Sequence, residues 1–211
     1  PIAGKTLGAL LKEEGLTQYE LPSQIKRIFE FLYSVGFKTT GIFRLAGRAD
    51  TVALYAKYPG MIRFDEANTI SIAAALKKLI RDMPEPILTG EAYKELIQVT
   101  GDYDQQLLDH VETLPPLSFP DHNNKHLTPM TTEVTPRGQY LLKVKNILAP
   151  LPIATTLIRY FAELAAKIAR GPSLMTPNNL AICLSPCLIS NDQVDMSQCG
   201  YATLCVEELI D

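Results

Sequence analysis

Apolar residues at Ile25, Ile28, Phe29, Leu32 and Val35 recur at the three-and-four spacing of a single helix face, with Pro22 ahead of them and Gly36 behind. Ile153, Leu157, Tyr160, Phe161, Leu164, Ala165 and Ile168 form a longer stripe of the same period, which Gly171-Pro172 stops. A chain that carries such stripes, and no convincing two-residue alternation, must bury helix against helix. The expected class is therefore all-α, a packed multi-helix domain with the longer stripe at its centre. Pro22 suits a first helical position, and shorter helices are expected over 7–14, 50–58, 71–82, 91–100, 104–113 and 197–209.

At 211 residues the chain is long enough for one substantial core, so residues 1–211 are read as one domain. Hydrophobic residues at 46% and charged residues at 20% place it among ordinary globular chains. A formal net charge of −3 supplies no overall basic field for nucleic acid, which is not an expected partner. No run reaches the roughly 18 apolar residues of a membrane span, and the opening Pro1-Ile2-Ala3 does not resemble a signal peptide, so it is expected to mark a fragment. Cys183, Cys187, Cys199 and Cys205 fit neither a disulfide framework nor a zinc pair, and are expected to be reduced thiols of a cytoplasmic protein. Prolines 115, 116, 120, 129 and 136, among polar residues, make 114–138 an expected inserted loop without regular helix. His122 and His126 within it lack the companions of a metal site, and no metal is expected.

Three segments carry chemistry. The first is Gly41-Ile42-Phe43-Arg44-Leu45-Ala46-Gly47, one guanidinium in an apolar run bracketed by glycines. Arg44 could pair with an internal carboxylate, but the bracket, followed by a helix capped by Asp50, suits a loop that presents the side chain to a partner. The second is Leu76-Lys77-Lys78-Leu79-Ile80-Arg81-Asp82-Met83-Pro84-Glu85-Pro86. Lys77 and Arg81 stand one helical turn apart at one margin of the apolar face, where they meet an acidic or carbonyl-rich surface or simply reach water. The third begins Met175-Thr176-Pro177-Asn178-Asn179 and ends Cys183-Leu184-Ser185-Pro186. Thr176 is suited to cap a helix that Pro177 starts, with the asparagines in its first turn either solvated or holding another backbone. Pro186 is expected to end or kink that helix near Ser185.

These three segments, in this order, resemble the RhoGAP family, and the resemblance spans most of the chain. It implies a protein that activates a small Rho- or Rac-type GTPase in its GTP-bound state by inserting an arginine finger into the GTPase's nucleotide site. Arg44 matches the finger, Lys77 the lysine that contacts the GTPase switch surface, Arg81 the arginine that braces the finger loop, and Asn179 the interface asparagine. GTP and Mg²⁺ then belong to the GTPase. The chain has no GxxxxGK[ST] or GxGxxG segment of its own, needs no cofactor, and is an activator rather than an enzyme. Recruitment to a membrane would fall to other parts of a longer protein.

The chain departs from the family pattern at Thr40, where glutamate is common, at Thr155, where asparagine is common, and at Leu174, where lysine is often seen. The alternative reading is a catalytically silent RhoGAP-like module that only docks a GTPase or another protein. Retention of Arg44 with Lys77, Arg81 and Asn179 favours catalysis.

Overall fold

A computed structural model of the chain describes residue 2 and residues 4–88, 90–113, 135–189 and 198–211, all helix, turn or loop with no strand. The expected loop therefore lies outside the described residues over 114–134. Its last residues do not continue it: Thr135 caps, and Pro136 starts, a helix that the sequence reading left out.

Helix α1 (Leu7–Glu14) is capped by the Thr6 hydroxyl, which accepts from the Ala9 amide, and ends at Gly15 in a left-handed turn. Helix α2 (Ser23–Val35) starts one residue after Pro22, not on it. Pro22 has no capping side chain, and Glu14 supplies the cap instead, its carboxylate accepting from the Ser23 amide at 2.8 Å. Helices α3 (Ala49–Lys57) and α4 (Thr69–Arg81) follow and pack together.

The two short helices expected over 91–113 are one, α5 (Gly90–Thr113), running through Gly101. Gly101 packs against the Tyr201 ring, at a distance where a Cβ would make ordinary van der Waals contact, and does not break the helix. Then come α6 (Pro136–Leu148), α7 (Pro152–Ala169), α8 (Pro177–Leu188) and α9 (Cys199–Ile210). Pro186 does not end α8, which continues to Leu188. Residue 182, whose carbonyl loses its amide partner to Pro186, stands on the exposed face of α8, and the ladder resumes with the Ile189 amide on the Ser185 carbonyl.

The central stripe is α7, packed on α2, α6, α8 and α9, with Leu157, Phe161, Leu164, Ala165 and Ile168 buried. Phe161 meets Phe29 of α2 edge to face at 4.8 Å between ring centroids. A stack of Tyr103 on Tyr140 at 4.3 Å joins α5 to α6, and α5 also packs on α9. Glu208 of α9 ties the same helices, accepting from Arg137 Nε at 2.7 Å and the Tyr103 hydroxyl at 3.2 Å. Each fully buried Leu, Ile or Phe contributes about 1.5–3 kcal/mol to such a core. The site elements, α4, α8 and the turn ahead of α3, sit at the edge of this frame.

Candidate functional site

Between α2 and α3 the chain makes a tight reversal that Gly36 and Gly41 permit. A Cβ on Gly36 would stand 2.9 Å from the Ile42 side chain, and Gly41 is left-handed at φ +69°. The Gly41 amide donates to the Ser173 carbonyl at 3.0 Å, while the Arg44 and Leu45 amides both return to the Gly41 carbonyl. Ile42 and Phe43 point into the core, and Arg44 points to solvent. The alternation of anchor and cation is thus built by two buried apolar side chains on a hydrogen-bonded turn.

Phe43 itself is left-handed, at φ +65°, a conformation that costs a non-glycine residue about 1–2 kcal/mol. Two interactions offset that cost. Its ring is buried and faces Phe161 at 6.5 Å, and its carbonyl accepts from the Lys77 ammonium of α4. A hydrogen bond from a charged donor contributes about 1.5–3 kcal/mol, enough to hold the peptide plane that carries Arg44.

The second glycine of the bracket has a different task. A Cβ on Gly47 would come within 2.5 Å of the Ser71 Cα, so only glycine lets this strand of loop lie against α4. The next amide, of Arg48, donates to the Ser71 hydroxyl at 3.2 Å. Asp50, expected as the cap of α3, lies instead inside its first turn, and Arg48 holds the cap position. There the Asp50 carboxylate complements the positive end of the helix without bonding across the cap.

Arg44 has no ion pair and no hydrogen bond from its side chain among the described residues. Its guanidinium lies back over its own turn, with Nη2 3.6 Å from where a Cβ of Gly41 would be. Among the described residues no internal carboxylate receives it.

Lys77 and Arg81 are split by the structure. Lys77 is half-buried and bonds the loop, whereas Arg81 is exposed, its guanidinium 3.8 Å from Asp82 with no hydrogen bond to the loop among the described residues. Asp82 is itself engaged by Lys78 at 2.6 Å. Of the two, only Lys77 bonds the loop among the described residues. Both cations lie near the end of α8: burial pushes the Cys187 thiol up to about 12, and the charges of Lys77 and Arg81 pull it the other way.

The start of α8 forms as its sequence requires, with the Thr176 hydroxyl accepting from the Asn179 amide at 3.2 Å. The two asparagines part ways. Asn178 donates to Glu207 of α9 at 2.8 Å, which makes it a structural clasp. The Asn179 carboxamide has no partner among the described residues, and it stands on the helical line of Cys183 and Cys187, the last of which feels the charges of Lys77 and Arg81 on α4. Of the departures, the Thr155 hydroxyl satisfies the Leu148 and Leu151 carbonyls at the α6–α7 corner. Leu174 lies in the turn whose Ser173 carbonyl holds Gly41.

Among the described residues no group of His, Cys, Asp or Glu side chains could hold a metal, and no helix is long and apolar enough to cross a membrane. His122 and His126 lie outside the described residues. The site is a surface one, with a lone guanidinium on a braced loop, a second exposed guanidinium and an unpaired carboxamide.

The family model described as RhoGAP domain matches residues 22–193. The chain belongs to the RhoGAP domain family. Human Rho GTPase-activating protein 17 is 28% identical over 200 residues, which cover 90% of this chain and 18% of that protein. Human Bargin is 24% identical over 221 residues, covering 100% of this chain and 28% of that protein. The chain thus corresponds to a minor part of the length of these relatives. The fold is similar to the crystal structure of human Rho GTPase activating protein 15, with a TM-score of 0.65 at 16% identity over 97% of this chain and 86% of that one.

Proposed function

We propose that the chain stimulates GTP hydrolysis on a GTP-loaded Rho- or Rac-type GTPase by supplying Arg44 in trans. The observation that carries this reading is Arg44 itself, exposed and unpaired at the tip of a loop whose backbone is fixed from both sides. A planar guanidinium offers a fork of donors to phosphate oxygens, and negative charge that grows between the β- and γ-phosphates in the transition state is what such a group stabilises. Lys77 holds the Phe43 carbonyl and so aims the residue after it, while the exposed Arg81 and the half-buried Asn179 are left to meet the GTPase. The nucleotide and its Mg²⁺ belong to the partner.

The test is single-turnover GTP hydrolysis across a panel of Rho-type GTPases, with wild type and Arg44→Ala. An arginine finger is worth roughly 10³–10⁵ in rate, or about 4–7 kcal/mol of barrier, and acts mainly in the transition state. Arg44→Ala should therefore lose stimulation and keep most of its affinity, and Arg44→Lys should recover little. Stimulation that survives Arg44→Ala would remove the finger assignment, and binding without stimulation by wild type would point to the silent docking module.

A further inference from the structure

Leu174 is held in a conformation that its side chain does not favour, and in a place where that side chain lies largely in solvent among the described residues. Its φ is +59°, and it is 74% exposed. Left-handed backbone is ordinary for glycine and uncommon for a branched aliphatic residue, so it persists only where the surroundings impose it. They do so here on both sides. Ser173 is buried, its hydroxyl donating to the Ile168 carbonyl at 2.9 Å and accepting from the Met175 amide at 3.3 Å, and Met175 is buried in the core. Gly171, just ahead, lies so close to Phe37 that a Cβ would meet the Phe37 carbonyl oxygen at 2.7 Å. With both neighbours pinned inward, residue 174 is turned outward, and the side chain displayed there is apolar.

The place of display is the finger. The Ser173 carbonyl, one residue away, is the acceptor that holds Gly41. A second exposed aliphatic side chain stands on the same turn: Leu45, at 47% exposure beside Arg44, against Gly41. A glycine at 174 would relax the backbone, and a polar residue would suit the solvent. Neither is present, and an exposed apolar group that costs the free chain stability is a mark of a surface that another molecule covers.

We infer that Leu174 is a specificity-determining contact with the GTP-loaded GTPase, seated against an apolar side chain of the partner beside its nucleotide site. This rests on the reading of the chain as a GTPase activator. Partners that present an acidic or strongly hydrated group at that point are disfavoured, because burying such a group against leucine leaves it without a hydrogen bond.

The test measures the affinity of the chain for a panel of Rho-type GTPases loaded with a non-hydrolysable GTP analogue, using wild type, Leu174→Gly and Leu174→Lys, with thermal unfolding of each. Glycine removes the side chain while keeping the turn, so Leu174→Gly should unfold at the same temperature or higher and yet bind the preferred GTPase about tenfold more weakly. Leu174→Lys should lose affinity for the same partner and change the order of preference across the panel. Equal affinity of Leu174→Gly and wild type for every GTPase that wild type binds would overturn the inference. If wild type binds but stimulates none of them, the activator reading falls while the contact stands or falls on the affinities. If wild type binds none, both are overturned.

Discussion

Replacing Lys77 with methionine separates holding the loop from touching the partner. Methionine keeps most of the aliphatic stem along α4 and removes the ammonium that the Phe43 carbonyl accepts from. The missing charge-assisted bond is worth about 1.5–3 kcal/mol, and what it opposes is the left-handed backbone of Phe43, worth about 1–2 kcal/mol, so the two terms are of one size. Without it the loop spends most of its time away from the geometry that aims Arg44. The rate at saturating activator should then fall by about 10- to 100-fold, in proportion to the population left in that geometry. The same loss should appear as a fall of about 3–12 °C in the unfolding midpoint, at roughly 2–4 °C per kcal/mol for a domain of this size. Single-turnover hydrolysis over a range of activator concentrations reads rate and affinity separately, and thermal unfolding by circular dichroism reads stability. Lys77→Arg should keep much of both, since it still donates. Weakened binding with an unchanged saturating rate and an unchanged midpoint would refute the reasoning and assign Lys77 to the interface alone.

Gly47→Ala would drive a methyl group into the backbone of Ser71, so the loop must shift from α4; a loss of about 1–3 kcal/mol in stability, read by denaturant unfolding, should accompany a clear drop in stimulation. Cys199 is exposed, whereas burial raises the thiols of Cys187, to about 12, and Cys205. Iodoacetamide at pH 8 should therefore label Cys199 in the folded chain and reach Cys187 and Cys205 only on unfolding, as intact-mass and peptide mapping would show. Because the folded Cys187 stays protonated while its unfolded thiol ionises, its contribution to stability should fade as pH rises above about 8.5, the ordinary thiol value. Glu208→Ala should cost about 1–2 kcal/mol by leaving Arg137 and the Tyr103 hydroxyl without their acceptor, a loss limited by the partial exposure of Arg137 and by Asp211 at 3.5 Å; a midpoint unchanged within error would show that the cluster adds nothing.

The parts of this fold legible in the sequence are those written in local chemistry. The stripes of α2 and α7 and the Thr176-Pro177 start of α8 needed only periodicity and a capping residue. Helix α6 had the same start signal, Thr135-Pro136, but it follows a proline-rich polar stretch, and its buried residues, Tyr140, Val144 and Leu148, form a thin line beside an exposed Leu142. Gly101 read as a break, since nothing local announces the Tyr201 ring that packs on it. At the site the sequence supplied the cast without the bonds. Arg44 between two glycines was plain, yet the left-handed turn falls on Phe43 as well as Gly41, and the cation that steadies it is Lys77, 34 residues away. The resemblance singled out Asn179, but the residues alone did not separate it from Asn178, because the bond that occupies Asn178 goes to Glu207 on α9.

The hydrogen bond from Gly41 to the Ser173 carbonyl joins the first third of the chain to its last. Closing so long a segment comes late in folding, since its entropy must be met before the contact repays it. A nascent chain that has released the Arg44 turn but not yet the α7–α8 corner holds the guanidinium on a turn without its anchor. Competence in the proposed activation should therefore arrive in one step, only once the α7–α8 corner has formed, and refolding followed by stimulation should lag refolding followed by helix content.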